Sequence, residues 1–335
     1  MGPVGDAGRV LCHGCVHPRA LPSARSETAA RRVEWRVRTR KRVRAGRSIE
    51  WGSAPGSGIT ISIVGSIPVD LSGVPETLLG NLGRRAAAAR IGALKDPLAV
   101  EVVDRLDYDF AHSTRGVRLH AVRVATFDGA VRSFLGVHPA GTVVALGEGL
   151  ETQFWRLDNG RVRWLTVDLP ETMELRGRLL PDGPRQSSHS GSALDLGWVD
   201  GLSPADPTLV TAQGLFPYFQ RDQVHRLIAG IAQRLPGSVL VFDVVPEVML
   251  DMVRRASGRE RDLAVTLWTW LFNAHEHALI SAIPGVEKLR DVAPPLKRDL
   301  ASFGIAAIGR LPRRLRYSLP VIQVLQAKFR AVSAH

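Results

Sequence analysis

The stretch "TVVALGEGLETQFW", residues 142–155, places two glycines one residue apart directly after a run of small and branched apolar residues. Apolar strand, glycine-rich turn and helix start is the order in which α/β proteins bring backbone N–H groups to a ligand. A G-x-G match alone is common by chance. The surrounding residues therefore decide whether a nucleotide binds here, and which one.

The residues of this turn favour a nucleoside without a diphosphate. A dinucleotide-binding turn has a third glycine that lets the helix start approach the pyrophosphate, and this chain has Thr152 there. Glu148 and Glu151 add negative charge, which favours a cationic ligand. About 20 residues further on, a predicted strand ends in Asp168, where a carboxylate accepts hydrogen bonds from ribose hydroxyls. S-adenosylmethionine fits this description, although the glycines could serve a tight turn only and Asp168 could cap the next helix.

Short apolar runs alternate with helical patterns after residue 140, which predicts a parallel sheet. The predicted strands are residues 142–146, 162–167, 208–212 and 238–245. Between the last two, one helical face carries Val224, Leu227, Ile228, Ile231 and Leu235. At least two helices are predicted before the first strand, one opening at Pro75 and one ending before Pro139.

The charge of the chain is concentrated at its beginning. Of the 44 basic and 32 acidic residues, 12 basic and 4 acidic ones lie in residues 1–60. Apart from Trp35, no aromatic residue is interleaved with the basic residues of the Arg-rich run. The pattern therefore favours a solvated arm over a segment that binds nucleic acid or a membrane surface. Residues 1–58 are therefore predicted to be a disordered basic extension, and residues 59–335 the folded domain.

Composition and cysteine usage favour a globular cytoplasmic protein. Hydrophobic residues make up 45% of the chain and charged residues 23%, and no apolar run is long enough for a membrane span. Cys12 and Cys15 form a C-x-x-C pair, but no second ligand pair follows at zinc-finger spacing, so no metal site is expected. The rest of the chain contains no cysteine, which excludes a catalytic thiol there.

Ordered motifs between residues 71 and 219 carry a family resemblance. They are "LSGVPETLL" (71–79), "KDPLAVEVVDRLDYDF" (95–110), "VVALGEGLETQFWRL" (143–157), "VRWLTVDLPE" (162–171), "GSALDLGW" (191–198) and "AQGLFPYF" (212–219). With them, the chain resembles the leucine carboxyl methyltransferase family, closest to its bacterial branch linked to polyketide O-methylation. The resemblance implies an α/β fold with a Rossmann-like, seven-stranded class I methyltransferase sheet. It also implies N-terminal helices at about 70–138 and a helical lid insertion at about 247–283.

The same resemblance implies S-adenosylmethionine as cofactor and assigns residues to it. Arg123 would meet the carboxylate of the cofactor, Gly147 and Gly149 would lie under its amino-acid part, and Asp168 would hold the ribose. Asp195 and Leu196 would lie along the adenine. From the residues alone, Arg123 could equally lie on the surface of a helix, and Asp195 could be an ordinary loop residue.

Two positions depart from the family pattern. Glu151 stands where the family usually has Asp, a difference of one methylene group. Gln213 stands where the family usually has an acid at the end of its fourth strand, so a neutral amide replaces a charge beside the cationic cofactor. The sequence therefore leaves open a protein that binds S-adenosylmethionine with little or no turnover.

The expected reaction is the methylation of an oxygen of a small, polyketide-like molecule. The sequence does not decide whether that oxygen belongs to a carboxylate or to a phenol. A carboxylate acceptor needs no base, whereas a phenol could use Tyr218, His275 or His277. Trp268, Phe272 and His275 are predicted to share a helical face that either floors an aromatic acceptor pocket or packs in the core. A nicotinamide-dependent oxidoreductase is the alternative class. Thr152, in place of the third glycine, and the acidic residues of the turn argue against it. No nucleic-acid partner is expected, and the sequence does not give the oligomeric state.

Overall fold

The computed structural model describes residues 67–68, 74–110, 116–180, 183, 185–255, 267–295, 304, 307–308 and 310–332. The predicted disordered extension, the C-x-x-C pair and the predicted start of the domain at residue 59 lie outside these ranges. None of the described helices combines the length and the apolar character needed to cross a lipid bilayer.

In the described part of the chain, three helices precede the main sheet, as the sequence predicts. They are α1 (Val74–Arg90), α2 (Pro97–Arg105) and α3 (Val117–Val137). α2 begins after Asp96, whose Oδ1 accepts a hydrogen bond from the backbone N–H of Ala99 at 3.1 Å and so caps the helix. Two short strands, β1 (Ile67–Pro68) and β2 (Leu106–Asp107), pair in parallel beside these helices.

The main sheet has seven strands. They are β3 (Thr142–Leu146), β4 (Arg163–Asp168), β5 (Gln186–Ser190), β6 (Thr208–Ala212), β7 (Val239–Val244), β8 (Val286–Asp291) and β9 (Gln323–Phe329), in the spatial order β5-β4-β3-β6-β7-β9-β8. The first five in this order are parallel, whereas β9 runs antiparallel to both of its neighbours. The predicted α/β Rossmann-like sheet is confirmed, with β9 as the exception to its parallel character.

The strand order reverses between β3 and β6, which sets the position of the site. From β3 the chain proceeds outward to β4 and β5, and it then returns to β6 on the other side of β3. In open α/β sheets, ligands bind beyond the carboxyl ends of the strands at such a reversal. Every residue of β3 and β6 is buried, as expected for central strands covered on both faces.

Helices cover both faces of the sheet. The helices that the described ranges contain in full after β3 are α4 (Gln153–Leu157), α5 (Pro170–Leu179), α6 (Arg221–Arg234), α7 (Glu247–Arg255), α8 (Ala274–Ser281) and α9 (Arg313–Arg316). Val144 of β3 lies in the cluster that α6 covers, and Val143 lies in the cluster on the face of α3. The predicted apolar face of α6 is confirmed, because all five of its residues are buried.

The predicted helical face of Trp268, Phe272 and His275 is wrong. Residues 268–273 are not helical, and α8 begins only at Ala274. The backbone N–H groups of Thr269 and Phe272 donate to the carbonyls of Pro217 and Val245 at 2.7 and 2.8 Å, which holds the segment against the end of the sheet. The lid insertion at about 247–283 remains a prediction, since residues 256–266 lie outside the described ranges.

Candidate functional site

Two cavities lie at the carboxyl ends of the parallel strands. The smaller cavity, about 280 Å³, is lined by the glycine turn after β3, by Asp168 of β4 and by Gln213 after β6. The larger cavity, about 520 Å³, lies between α1, α3 and the ends of β7, β8 and β9. Four residues line both cavities and are called the seam: Asn81, Arg123, Gly214 and Tyr218.

The glycine turn needs both of its glycines. Gly147 and Gly149 have φ angles of +59° and +56°, in the left-handed region that favours glycine. A Cβ atom on Gly147 would lie 2.7 Å from Cδ1 of Leu215, and one on Gly149 would lie 2.6 Å from Cδ2 of Leu78. A side chain at either position would therefore combine backbone strain with a steric clash.

The backbone N–H groups of this turn are largely used within the protein. Gly147 donates to the carbonyl of Val167 at 2.8 Å, and Glu151 donates to the carbonyl of Glu148 at 3.0 Å. Gly149 donates to Oδ2 of Asp168 at 2.7 Å. A diphosphate is normally held by free N–H groups of such a turn. Their use elsewhere favours a nucleoside without a diphosphate.

Two buried arginines hold the turn from behind through its carbonyl groups. Nη1 of Arg176 donates to the carbonyls of Gly149 and Glu151 at 2.7 and 2.9 Å. Nη2 of Arg85 donates to the carbonyl of Leu150 at 2.6 Å. These bonds join the turn to α5 and α1, so its shape does not depend on a ligand.

The acidic side chains of the turn have positive partners, which corrects the charge argument made from the sequence. Glu148 lies 3.2 Å from Arg176, and Glu151 lies 3.0 Å from Arg85 and 2.8 Å from Arg156. Burial raises the pKa of Glu151, but the two arginines outweigh it and lower that pKa to about 2. Glu151 is therefore charged, whereas burial raises the pKa of Glu148 against the opposing charge of Arg176. Because both carboxylates have arginine partners, they do not by themselves select a cation.

Asp168 lies in the wall of the smaller cavity at the position expected for a ribose partner. Its Oδ2 accepts the N–H of Gly149 at 2.7 Å and its Oδ1 accepts that of Leu169 at 2.8 Å, which fixes the carboxylate. Burial raises its pKa, and the two backbone hydrogen bonds oppose this shift. The Thr172 side chain also hydrogen-bonds this carboxylate, and the acceptor capacity that these three bonds leave is available to a ligand hydroxyl.

The residues expected along the adenine are not brought to the cavity. Asp195 is exposed, and Leu196 packs beside Gly230 of α6. Neither lines the smaller cavity, whereas Ser192 and Ala193 just before them do. The beginning of this loop therefore forms the cavity wall, and the assignment of Asp195 and Leu196 to the adenine stays a prediction.

Arg123 lies at the seam and is anchored by an acid that sequence reasoning missed. Its Nε donates to Oδ2 of Asp243 at 2.6 Å, and Oδ1 of Asp243 accepts the N–H of Gly214 at 2.6 Å. Within the described part of the chain, the terminal nitrogens of Arg123 have no hydrogen-bond partner. Asp243 could have been found from its place at the end of the apolar run "SVLVFDVV".

Gln213 and Tyr218 also lie at the meeting point of the two cavities. Nε2 of Gln213 lies 3.4 Å from Oε2 of Glu151, and its buried Oε1 has no partner among the described residues. The Tyr218 hydroxyl donates to Oγ1 of Thr77 at 3.2 Å. An acceptor oxygen of Gln213 is thus available in the wall of the smaller cavity.

The histidines expected as bases lie elsewhere. His275 is exposed in the first turn of α8, and His277 is buried against the rings of Phe272 and Tyr317. Neither lines either cavity. The expectation that His275 acts as a base therefore has no support from its position, and Tyr218 is the candidate that reaches the seam. In the described ranges, no group of three metal-ligating side chains is assembled.

Comparisons with known proteins identify methyltransferases among the relatives of this chain. The leucine carboxyl methyltransferase family matches residues 85–232. The tetracenomycin polyketide synthesis O-methyltransferase TcmP of Streptomyces glaucescens is 36% identical over 185 residues, which cover 53% of this chain and 68% of that protein. The S-adenosyl-L-methionine-dependent methyltransferase dpfgK of Gibberella zeae is 26% identical, over 65% of this chain and 82% of that protein.

Among solved structures, the plantazolicin methyltransferase BamL is similar with a TM-score of 0.46 and 11% identity, covering 76% of this chain and 98% of that one. The sheet topology and the S-adenosylmethionine-dependent methyltransferases among the relatives place the chain in the class of such enzymes with a Rossmann-like sheet. Within that class, the chain belongs to the leucine carboxyl methyltransferase family.

Proposed function

We propose that this methyltransferase forms the methyl ester of an apolar, polycyclic carboxylic acid, with S-adenosylmethionine in the smaller cavity and the acid in the larger one. The observation that carries the proposal is the seam, where Asn81, Arg123, Gly214 and Tyr218 belong to both cavities. Two substrates that exchange a methyl group must meet at such a shared wall, with the reacting atoms about 3 to 3.5 Å apart.

The residues of the smaller cavity fit the cofactor. Asp168 offers carboxylate oxygens to the ribose hydroxyls, and Oε1 of Gln213 offers an acceptor to the ammonium group. The terminal nitrogens of Arg123 can donate to the carboxylate of the cofactor. The glycines of the turn let Leu215 and Leu78 pack directly against its backbone, and both leucines line this cavity. When bound, S-adenosylmethionine supplies an electrophilic methyl group on a sulfonium.

The larger cavity favours an acidic and mostly apolar acceptor. Four arginines line it against two aspartates: Arg84, Arg123, Arg310 and Arg316 against Asp243 and Asp291. Most of its other lining residues are apolar, among them Leu119, Val122, Met249, Trp268, Val292 and Val321. An excess of positive charge in an apolar wall favours an anion with a hydrophobic body. Arg123 and Arg316 are paired with Asp243 and Asp291, so the net charge of the lining stays positive, and a phenol, neutral at pH 7, would gain no attraction from it.

The protein contributes alignment and the exclusion of water. A carboxylate is already a nucleophile near neutral pH, so no base is needed, and Tyr218 takes the role of a positioning residue at the seam. The ion pair with Asp243 fixes the position of Arg123 at the seam. An acceptor body that fills the apolar wall would displace water from the reacting oxygen.

Transfer of a labelled methyl group tests this proposal. The protein is incubated with methyl-labelled S-adenosylmethionine and either anthracene-2-carboxylate or 2-hydroxyanthracene. We expect label in the organic product from the acid only, and we expect mild alkali to release it as methanol, because esters hydrolyse and aryl ethers do not.

One control variant and two possible contrary results complete this test. Asp168→Ala should lose the transfer, because it removes the expected ribose partner. Alkali-stable label from the phenol would identify a phenol methyltransferase. Tight binding of S-adenosylmethionine with no transfer to either probe would favour a cofactor-binding protein without turnover, the alternative suggested by Gln213.

A further inference from the structure

A polar patch at one end of the larger cavity is formed where α1 and α3 pack together. Asn81 and Arg84 are three residues apart on α1, and His120 and Arg123 are three residues apart on α3. Residues at this spacing share one face of a helix. Asn81 and Arg123 line both cavities, whereas Arg84 and His120 line only the larger one.

Resting on the proposed function, we propose that Asn81, Arg84 and His120 form the subsite that binds the carboxylate of the acceptor. Of these three residues, Asn81 lines both cavities, and it holds the reacting oxygen. His120 lies on the acceptor side only and holds the second oxygen, while Arg84 contributes positive charge.

Two of these side chains lack polar partners inside the described part of the protein. His120 is 8% exposed, and its Nε2 is buried without a hydrogen-bond partner among the described residues. The side-chain amide of Asn81 makes no hydrogen bond to a described residue either. Buried polar groups in native proteins nearly always have a partner. A carboxylate in this end of the cavity would supply one to each.

The charge state of His120 suits this role. Burial, followed by the positive charges of Arg123, Arg85 and Arg84, lowers the pKa of His120 well below its ordinary 6.5. The imidazole is therefore neutral near pH 7, with one N–H donor and one acceptor nitrogen. It can donate to a carboxylate oxygen, and the neighbouring arginines attract the anion.

Binding of a fluorescent acid tests the subsite without requiring turnover. Anthracene-2-carboxylate and its neutral amide, anthracene-2-carboxamide, are titrated into the protein saturated with S-adenosylhomocysteine, and fluorescence reports the dissociation constants. We expect the wild type to bind the acid roughly tenfold more tightly than the amide, because charged hydrogen bonds are stronger than neutral ones.

Variants show which residues cause the preference for the acid over the amide. His120→Phe keeps an aromatic ring but removes both nitrogens, and it should weaken acid binding about tenfold with little change for the amide. His120→Gln, which restores a polar end group, should recover part of the loss, and Asn81→Leu should also lower the preference. Met249→Leu changes an apolar lining residue and should affect both probes equally. Affinity for S-adenosylhomocysteine should stay unchanged in His120→Phe, because His120 does not line the smaller cavity.

The results separate this subsite from the proposed reaction. Equal affinity of the wild type for acid and amide, or no saturable binding of either, would overturn the subsite, as would unchanged acid binding in a folded His120→Phe. Preferential acid binding without methyl transfer would keep the subsite and refute the ester-forming reaction. Methyl transfer to the acid at the same rate in the wild type and in His120→Phe would support the ester-forming reaction and overturn the subsite.

Discussion

Glu151 illustrates how single residues give the smaller cavity its shape. Its carboxylate pairs with Arg85 and Arg156, accepts the N–H of Thr152 at 2.9 Å and lies 3.4 Å from Nε2 of Gln213. The residue thus joins α1, the glycine turn and the end of β6. The longer side chain, which the sequence marks as a departure from the family, is fully engaged in these bonds.

Asp168 is the residue whose loss should affect the cofactor most directly. Asp168→Ala removes the acceptor for ribose hydroxyls, whose charge-assisted bonds contribute roughly 1.5 to 3 kcal/mol. S-adenosylmethionine binding should weaken about tenfold to hundredfold in a calorimetric titration. Because Asp168 also holds the N–H of Gly149, Asp168→Asn serves as a control that keeps an acceptor oxygen there. Unchanged affinity in folded Asp168→Ala would exclude Asp168 as the ribose partner.

Gln213 tests whether charge at the end of β6 matters for the cofactor. Its free Oε1 can accept a hydrogen bond, but it lacks the charge of the acid usual in the family. Gln213→Glu should bind S-adenosylmethionine severalfold more tightly, by about 1 kcal/mol. Arg85 and Arg156 already compensate the neighbouring Glu151, which limits repulsion between the two carboxylates. Equal or weaker calorimetric binding by Gln213→Glu, relative to the wild type, would contradict this.

His120 should make folding stability depend on pH. Because its pKa is lowered in the fold, the unfolded chain binds the proton first as the pH falls below 6.5, and stability decreases there. One such group contributes a slope of up to about 1.4 kcal/mol per pH unit. Urea unfolding at about pH 7.5 and about pH 5.5 should therefore show a smaller loss for His120→Gln than for the wild type. An identical loss in both proteins would mean that His120 titrates normally.

At the scale of elements, the ion pairs of Arg156 join several helices to the glycine turn. Arg156 of α4 lies 2.7 Å from Asp96 before α2, 3.1 Å from Asp128 of α3 and 2.8 Å from Glu151 of the turn. All four side chains are at least nine-tenths buried. The network fixes the N-terminal helices against the glycine turn, and so keeps the wall of the smaller cavity in place.

Removal of Arg156 should be costly because it leaves buried acids without their partner. Arg156→Met should lower the free energy of unfolding by about 3 to 5 kcal/mol. Arg132→Met is the matched control: Arg132 lies 3.8 Å from the same Asp128, but its side chain is 60% exposed. Its loss should change stability by no more than about 0.5 kcal/mol. Similar chemical denaturation curves for the two variants would contradict a stabilising role for the network.

The more deeply a strand is buried, the better the sequence predicts it. β3 and β6 occur at the predicted residues because central strands are continuous apolar runs. β5, with the sequence "QSSHS", lies at the edge and is half exposed, so it gives no apolar signal. The segment of Trp268 and Phe272 has helical spacing but is held extended by backbone hydrogen bonds to distant residues, which the local sequence does not contain.

At the scale of the whole molecule, the sequence predicted residues of the smaller cavity better than those of the larger cavity. Gly147, Gly149 and Asp168 were found because a turn and a strand end are local features. Asn81 and His120 come from separate helices and have no motif, so only the packing of α1 on α3 brings them together. The seam is a property of the folded chain.

The central claim is that the two cavities hold the two substrates on either side of the seam. A high-resolution crystal structure with S-adenosylhomocysteine and anthracene-2-carboxylate tests it most directly. We predict the ribose within hydrogen-bonding distance of Asp168, the sulfur at the wall shared by Asn81 and Tyr218, and the carboxylate facing that sulfur from the larger cavity. A nucleoside bound in the larger cavity, or an acid bound away from the seam, would contradict the account.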